Sequence, residues 1–171
     1  TIAPRATAAR PTTRPTATLL PPTTWVGYCD GGHTPVRYPH APERAGWAFS
    51  IVHGGDGDAD QSASVIAEGW GPVIIDEDAP YYIGASKLTN NTAELSALIE
   101  MLLRLQRALD AGAACSTFIA RPDSMYAVDI ASGEAQPDTN HELASRARAV
   151  WRETHARLGG KLYRAHVKNH S

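Results

Sequence analysis

Three carboxylates, Asp30, Glu94 and Asp123, stand where the chain passes from one element to the next. Asp30 follows the apolar run 25–29 (WVGYC) and precedes two glycines. Asp123 follows the run 116–120 (STFIA) and Arg121-Pro122, and Glu94 opens the long helical stretch between them. If the strands ending at Asp30 and Asp123 are adjacent and parallel, both aspartates fall on one sheet edge. Three carboxylates gathered there repel each other unless cations neutralise them. Hard oxygen donors with open positions suit Mg²⁺ or Mn²⁺, ions that activate water for attack.

Each carboxylate also has a plainer reading. Asp30-Gly31 is a common turn dipeptide. Glu94 stands three residues after Asn91, the N3 position, where a carboxylate caps backbone N–H groups and meets the positive end of the helix dipole. Asp123 stands immediately before a short helix and reads as its N-cap. Their joint placement is what these separate readings leave without a reason.

The elements that must position them follow from apolar periodicity. Residues 25–29, 46–53 and 64–75 read as three strands joined by polar connections, a pattern that suggests an antiparallel meander. Residues 91–111 place Leu95, Leu98, Ile99, Leu102, Leu103 and Leu109 on one stripe, a helix with Gly112 at its C-cap. A fourth strand over 116–120 leads into a short helix over 124–132, closed by Gly133. A third helix over 139–158 has Thr139 and Glu142 in capping-box register, and 161–167 alternates like a fifth strand. The expected order is β-β-β-α-β-α-α-β. Connection through a helix makes parallel pairing of strands one and four natural.

Composition bounds the rest. With 171 residues, 43% hydrophobic and 20% charged, the chain suits one domain with a sizeable core. No run of about eighteen apolar residues exists, so no membrane span is expected. Cys29 and Cys115 are too few for a disulfide framework or a cysteine zinc site; reduced thiols suit an intracellular protein. Residues 1–24, rich in Thr, Ala and Pro and free of acid, read as a disordered linker ahead of a domain over 25–171. Net charge is −2, but Arg146, Arg148, Arg152, Arg157, Lys161, Arg164 and Lys168 cluster near the end while acids concentrate mid-chain. A basic region beside an acidic centre could hold phosphates near metal ions; a solvated helix face is the other reading.

Four segments in order carry a resemblance: Tyr28-Cys29-Asp30-Gly31-Gly32, Thr89-Asn90-Asn91-Thr92-Ala93-Glu94-Leu95, Arg121-Pro122-Asp123-Ser124-Met125-Tyr126 and His166-Val167-Lys168-Asn169-His170-Ser171. Together they resemble the successive motifs of type 1 ribonuclease H over residues 25–171, the TNNTAEL segment being the most specific. The resemblance implies a ribonuclease H-like α/β fold: a five-stranded mixed sheet, three antiparallel strands then parallel additions, flanked by helices. It implies Asp30, Glu94 and Asp123 as ligands of two Mg²⁺ ions, with Mn²⁺ as a substitute. It further implies an RNA/DNA hybrid as substrate, contacted by Thr89, Asn90 and Asn91, and a catalytic role for His170 in proton transfer or product release. The implied activity is endonucleolytic hydrolysis of the RNA strand, leaving a 5′-phosphate and a 3′-hydroxyl.

The sequence also departs from the family pattern. The fourth carboxylate and the C-terminal helix that carries it are missing from the sequence. The connection from Gly133 to Thr139 leaves no room for a basic protrusion helix, so substrate grip is expected from the arginines between Arg146 and Arg157. Asn169 stands where a glycine is common. An acid-free linker fits a domain carried by a larger protein, such as a retroelement reverse transcriptase. Transposases, integrases and exonucleases share the sheet-edge carboxylates, but TNNTAEL argues against them. A non-catalytic ribonuclease H-like binding module remains the alternative from a different class.

Overall fold

The structure is a computed structural model that describes residues 23–36, 42–53 and 64–166. The expected element order is found: β1 (Thr24–Thr34), β2 (Arg44–His53), β3 (Ser64–Pro72), α1 (Asn90–Asp110), β4 (Thr117–Pro122), α2 (Met125–Ser132), α3 (His141–Arg157) and β5 (Leu162–Arg164). The strands form one sheet in the order β3-β2-β1-β4-β5. β1, β2 and β3 pair antiparallel, whereas β4 joins β1, and β5 joins β4, in parallel. This is the five-stranded mixed sheet flanked by helices that the sequence suggested.

Directly opposed residues share a sheet face and successive residues alternate, so the register sorts the side chains. Asp30, Ala48 and Trp70 stand in one row across β1, β2 and β3; Gly31, Trp47 and Gly71 form the next row on the other face. That second face receives α1. A Cβ on Gly31 would lie 2.2 Å from the Ala93 carbonyl carbon and the Glu94 nitrogen, so the missing side chain is what lets helix backbone rest on strand backbone. The aromatic rings of Trp47 and Phe49 stack at 6.1 Å and lie over Gly71 and Gly69 of the neighbouring strand.

Helix α1 is buried nearly all round: Leu95, Leu98, Ile99, Met101 and Leu105 are 0% exposed. It lies between the sheet, where it packs on β1 and β2, and an outer layer of α3 and α2. Gln106, buried in that second interface, donates from Nε2 to Thr154 Oγ1 at 2.9 Å. The core therefore runs along both sides of α1 and fixes its height and rotation over β1.

Several boundaries differ from expectation. β1 begins at Thr24 and does not turn at Asp30 but runs on to Thr34, because Gly31 to Thr34 keep antiparallel partners in β2. β3 stops at Pro72 rather than at residue 75, and β5 covers only Leu162–Arg164, with residues 161, 165 and 166 outside the strand. The capping box at the start of α3 does not form. Asn140 is the N-cap, in a left-handed conformation at φ 58° and with no side-chain capping bond. Residues 1–22, most of the expected linker, lie outside the described residues, as does residue 167 of the expected fifth strand.

Candidate active site

Asp30 sits where the sheet divides. On one side its strand continues antiparallel with β2; on the other, the parallel pairing with β4 ends at Cys29 opposite Pro122. The last link is the Asp123 N–H, which donates to the Cys29 carbonyl at 3.1 Å. Asp30 and Asp123 are thus the first residues past that pairing on adjacent strands, which lie about 5 Å apart. Both are exposed. Asp30 lies within a strand and is no turn residue. Asp123 is no helix cap either, since α2 is capped by Ser124, whose hydroxyl accepts from the Tyr126 N–H at 3.3 Å.

Glu94 is not at N3. Helix α1 starts at Asn90 with Thr89 as N-cap, and the capping box is made by Thr89 and Thr92. The Thr92 N–H donates to Thr89 Oγ1 at 3.1 Å, and the Thr89 N–H to Thr92 Oγ1 at 2.9 Å. Glu94 falls in the second turn, and its carboxylate is released from capping. Oε1 accepts from Asn90 Nδ2 at 2.6 Å, while Oε2 is buried and accepts no hydrogen bond. Burial pushes the Glu94 carboxyl above the usual range, the Ser124 hydroxyl and Asn90 amide draw it back, and the fields of Asp30 and Asp123 push it up again. The Ser124 hydroxyl is near enough to act on this carboxyl without closing a hydrogen bond to Oε2.

A buried carboxylate oxygen without a donor, facing two further carboxylates, is costly unless a cation or a proton satisfies it. The donor set, all oxygen and negatively charged, fits a hard divalent ion. Among the described residues no three His, Cys, Asp or Glu side chains close into a ready-made metal cage. The arrangement is an open carboxylate edge.

No protein-family model matches the chain. No curated protein matches it either. Solved structures do match. RNase H1 from the halophilic archaeon Halobacterium salinarum is 24% identical, with 85% of this chain and 86% of that one covered and a TM-score of 0.51. LC11-RNase H1, isolated from compost by a metagenomic approach and solved in complex with an RNA/DNA hybrid, is 19% identical over 85% of this chain and 86% of that one, with a TM-score of 0.54. The chain has the ribonuclease H fold. A foamy viral protease-reverse transcriptase, solved in complex with an RNA/DNA hybrid, is 14% identical, covering 97% of this chain but 20% of the viral one, with a TM-score of 0.51.

In this ribonuclease H fold the other residues singled out from sequence have visible employments. Thr89 caps α1 and Asn90 holds Glu94, so both side chains serve the helix start. Asn91 is exposed and bonds to Tyr126. Burial and the Glu94 and Asp138 carboxylates hold that phenol above its usual range, and the Asn91 bond draws it back. His170 lies outside the described residues. Of the arginines expected to grip substrate, Arg148 donates to the Ile130 and Ala135 carbonyls at 3.1 and 2.9 Å, and Arg157 pairs with Asp110. Arg164 pairs with Asp129 and Glu134. Arg146 and Arg152 stay exposed.

Sequence reading missed Ser124 as a partner of Glu94; its adjacency to Asp123 was the available signal. Cys29, beside Asp30, is no nucleophile. Burial, reinforced by Asp30 and Glu94, pushes its thiol up to about 12, and burial pushes Cys115 up to about 11. Neither thiol is expected to react with Ellman's reagent at pH 8 in the folded protein, and both should react in denaturant. Rapid labelling of native Cys29 would contradict the burial of the strand that carries Asp30.

Proposed function

We propose that the chain is a divalent-metal-dependent endonuclease that hydrolyses the RNA strand of RNA/DNA hybrids. The observation that carries this reading is the buried, unpartnered Oε2 of Glu94 turned into the field of Asp30 and Asp123. The fold supports it, together with the hybrid seen bound to LC11-RNase H1.

Asp30, Glu94 and Asp123 would hold two Mg²⁺ ions, with Mn²⁺ able to substitute. Bound there, such ions supply Lewis-acid polarisation of a phosphoryl oxygen and acidify a water. The chain does the rest. Asp30 and Asp123, side by side past the last β1–β4 link, set the spacing of the carboxylates along the scissile phosphate. Asn90 fixes the rotation of Glu94 through its bond to Oε1. Thr89, Asn90 and Asn91 form the substrate-facing start of α1, where Asn91, exposed, can read the 2′-hydroxyls that tell RNA from DNA. His170 would take or give a proton as the product leaves.

A labelled RNA/DNA hybrid incubated with the protein and Mg²⁺ should yield fragments with 5′-phosphate and 3′-hydroxyl ends. EDTA should stop cleavage, and DNA duplexes should stay intact. Intact hybrid with both Mg²⁺ and Mn²⁺ would leave the non-catalytic binding module as the function. A polyprotein setting with a reverse transcriptase, suggested by the match to the foamy viral protein, is read from the native gene around this domain.

A further inference from the structure

Away from the carboxylate edge, the ends of β2 and β3, the segment after β3 and a flank of α1 enclose a cleft of about 290 Å³. Its walls are aromatic. The Trp47 ring is fixed by its stack on Phe49 and by its Nε1–H donating to the Pro72 carbonyl at 3.1 Å. Tyr81 stands at the mouth, 82% exposed, while Trp70 borders the cleft from β3 with its side chain on the opposite sheet face. Two successive turns, Ala79 N–H to the Asp76 carbonyl and Tyr82 N–H to the Ala79 carbonyl, set the segment that presents Tyr81. Tyr81 itself is held at φ 67°, a left-handed conformation that a tyrosine adopts at a cost and that tends to persist where function keeps it.

The floor is polar. Ser96 and Glu100 are four apart on α1 and share a face, and Arg107 lies on the same stripe further along. Ser96 is 1% exposed, and its hydroxyl has no hydrogen-bond partner. Burial pushes the Glu100 carboxyl up, while the Arg107 and Arg146 guanidiniums draw it down. A buried hydroxyl with no partner, beside a half-buried carboxylate and between the Trp47 ring and an exposed tyrosine, is left wanting a ligand that stacks and donates.

We propose that this cleft binds an unpaired guanine base. Glu100 sets the choice. An ionised carboxylate only accepts, and its two oxygens match two adjacent N–H donors. Guanine offers that pair at N1 and N2. Adenine and cytosine place one amino group beside an acceptor nitrogen, which would face the second oxygen, and uracil has one N–H between two carbonyls. The base stacks on the aromatic walls, as unpaired bases do on protein aromatics. Ser96 supplies a further hydrogen bond, and Arg107 stands at the rim to meet the nucleotide's phosphate.

The test is titration of the protein with GMP and with AMP in EDTA, followed by calorimetry and tryptophan quenching. These conditions keep it independent of the metal edge and of any cleavage. GMP should bind about 10-fold more tightly than AMP, and Glu100→Gln should weaken GMP about 10-fold and erase the preference. Ser96→Ala should weaken GMP several-fold without lowering the melting temperature, because it removes a hydroxyl that has no partner in the free protein. Should Glu100→Gln fail to fold, Tyr81→Ala, at an exposed position, must still weaken GMP. Equal binding of GMP and AMP, no GMP binding at millimolar concentration, or unchanged affinity in the folded variants would overturn the assignment.

Discussion

Glu94→Gln is expected to slow Mg²⁺-dependent cleavage of an RNA/DNA hybrid by about 10³-fold or more, while raising the melting temperature of the metal-free protein. The two effects have one cause. Gln keeps the shape and can still accept from Asn90, but it removes a negative charge that is half-buried and faces Asp30 and Asp123. The charge is unfavourable to the fold and, under the proposed function, needed to hold the cation. Because the folded carboxyl titrates above its ordinary 4.5, the protonated form is the one the fold favours. Its contribution to stability is present below pH 4.5 and is lost as pH rises through the raised value. The stability gap between variant and wild type should therefore widen from pH 4 to pH 7 without metal, and shrink when Mg²⁺ is added. Cleavage assays and thermal melts with and without Mg²⁺ check both halves. A variant that loses activity and stability together would show Glu94 to be an ordinary structural residue.

Gly31→Ala should be among the most damaging single substitutions, costing about 4 kcal/mol or more. The added carbon would stand 2.2 Å from the Ala93 carbonyl carbon and the Glu94 nitrogen, which belong to helix backbone and cannot rotate aside. Helix α1 would have to lift, and it is packed on its far side by α3 and α2. Gly27→Ala is the control, since its Cβ meets the side chains of Phe118 and Met101, at 2.4 and 2.5 Å. Those can give part of the way, so its cost should stay nearer about 1–3 kcal/mol. Whatever Gly31→Ala protein remains folded carries Glu94 displaced from Asp30, and a shift of about 1 Å is enough for a 10²-fold loss of rate. Urea midpoints measure the first effect. Equal losses for the two alanine variants would refute the close-contact account.

The order of elements and the gathering of Asp30 and Asp123 at one sheet edge were legible in the sequence, because period-2 and period-3.6 patterns are local. Local patterns misread what surrounds the carboxylates. Asp30-Gly31-Gly32 has the composition of a turn, and the strand's continuation depends on partners some fifteen residues away, Gly46 and Trp47 in β2. The true cap of α1, Thr89, lies two residues before Asn91, and that shift moves Glu94 out of the first turn. At α3 the local S/T-x-x-E pattern lost to a left-handed Asn140. The arginines of α3 looked alike in sequence; the fold turns Arg148 toward the end of α2 and leaves Arg146 exposed. The cleft over Ser96 and Glu100 needs the β2–β3 register and the fold of the segment before α1, neither of which shows in the spacing.

The pairing that brings Asp30 beside Asp123 also bears on how the molecule assembles. Antiparallel β1–β2–β3 is sequential, whereas β1 and β4 meet across a long loop: Thr23 and Ser116, at its mouth, are 93 residues apart. Long closures are slow to form, and this one gathers like charges as it shuts. The meander can be built with Asp30 alone in solvent, and the electrostatic cost of the carboxylate edge falls on the closing of the loop. A divalent ion held there, as proposed, would relieve the cost of that long-range closure, and the edge that would cut RNA would double as a latch whose strength depends on the ion.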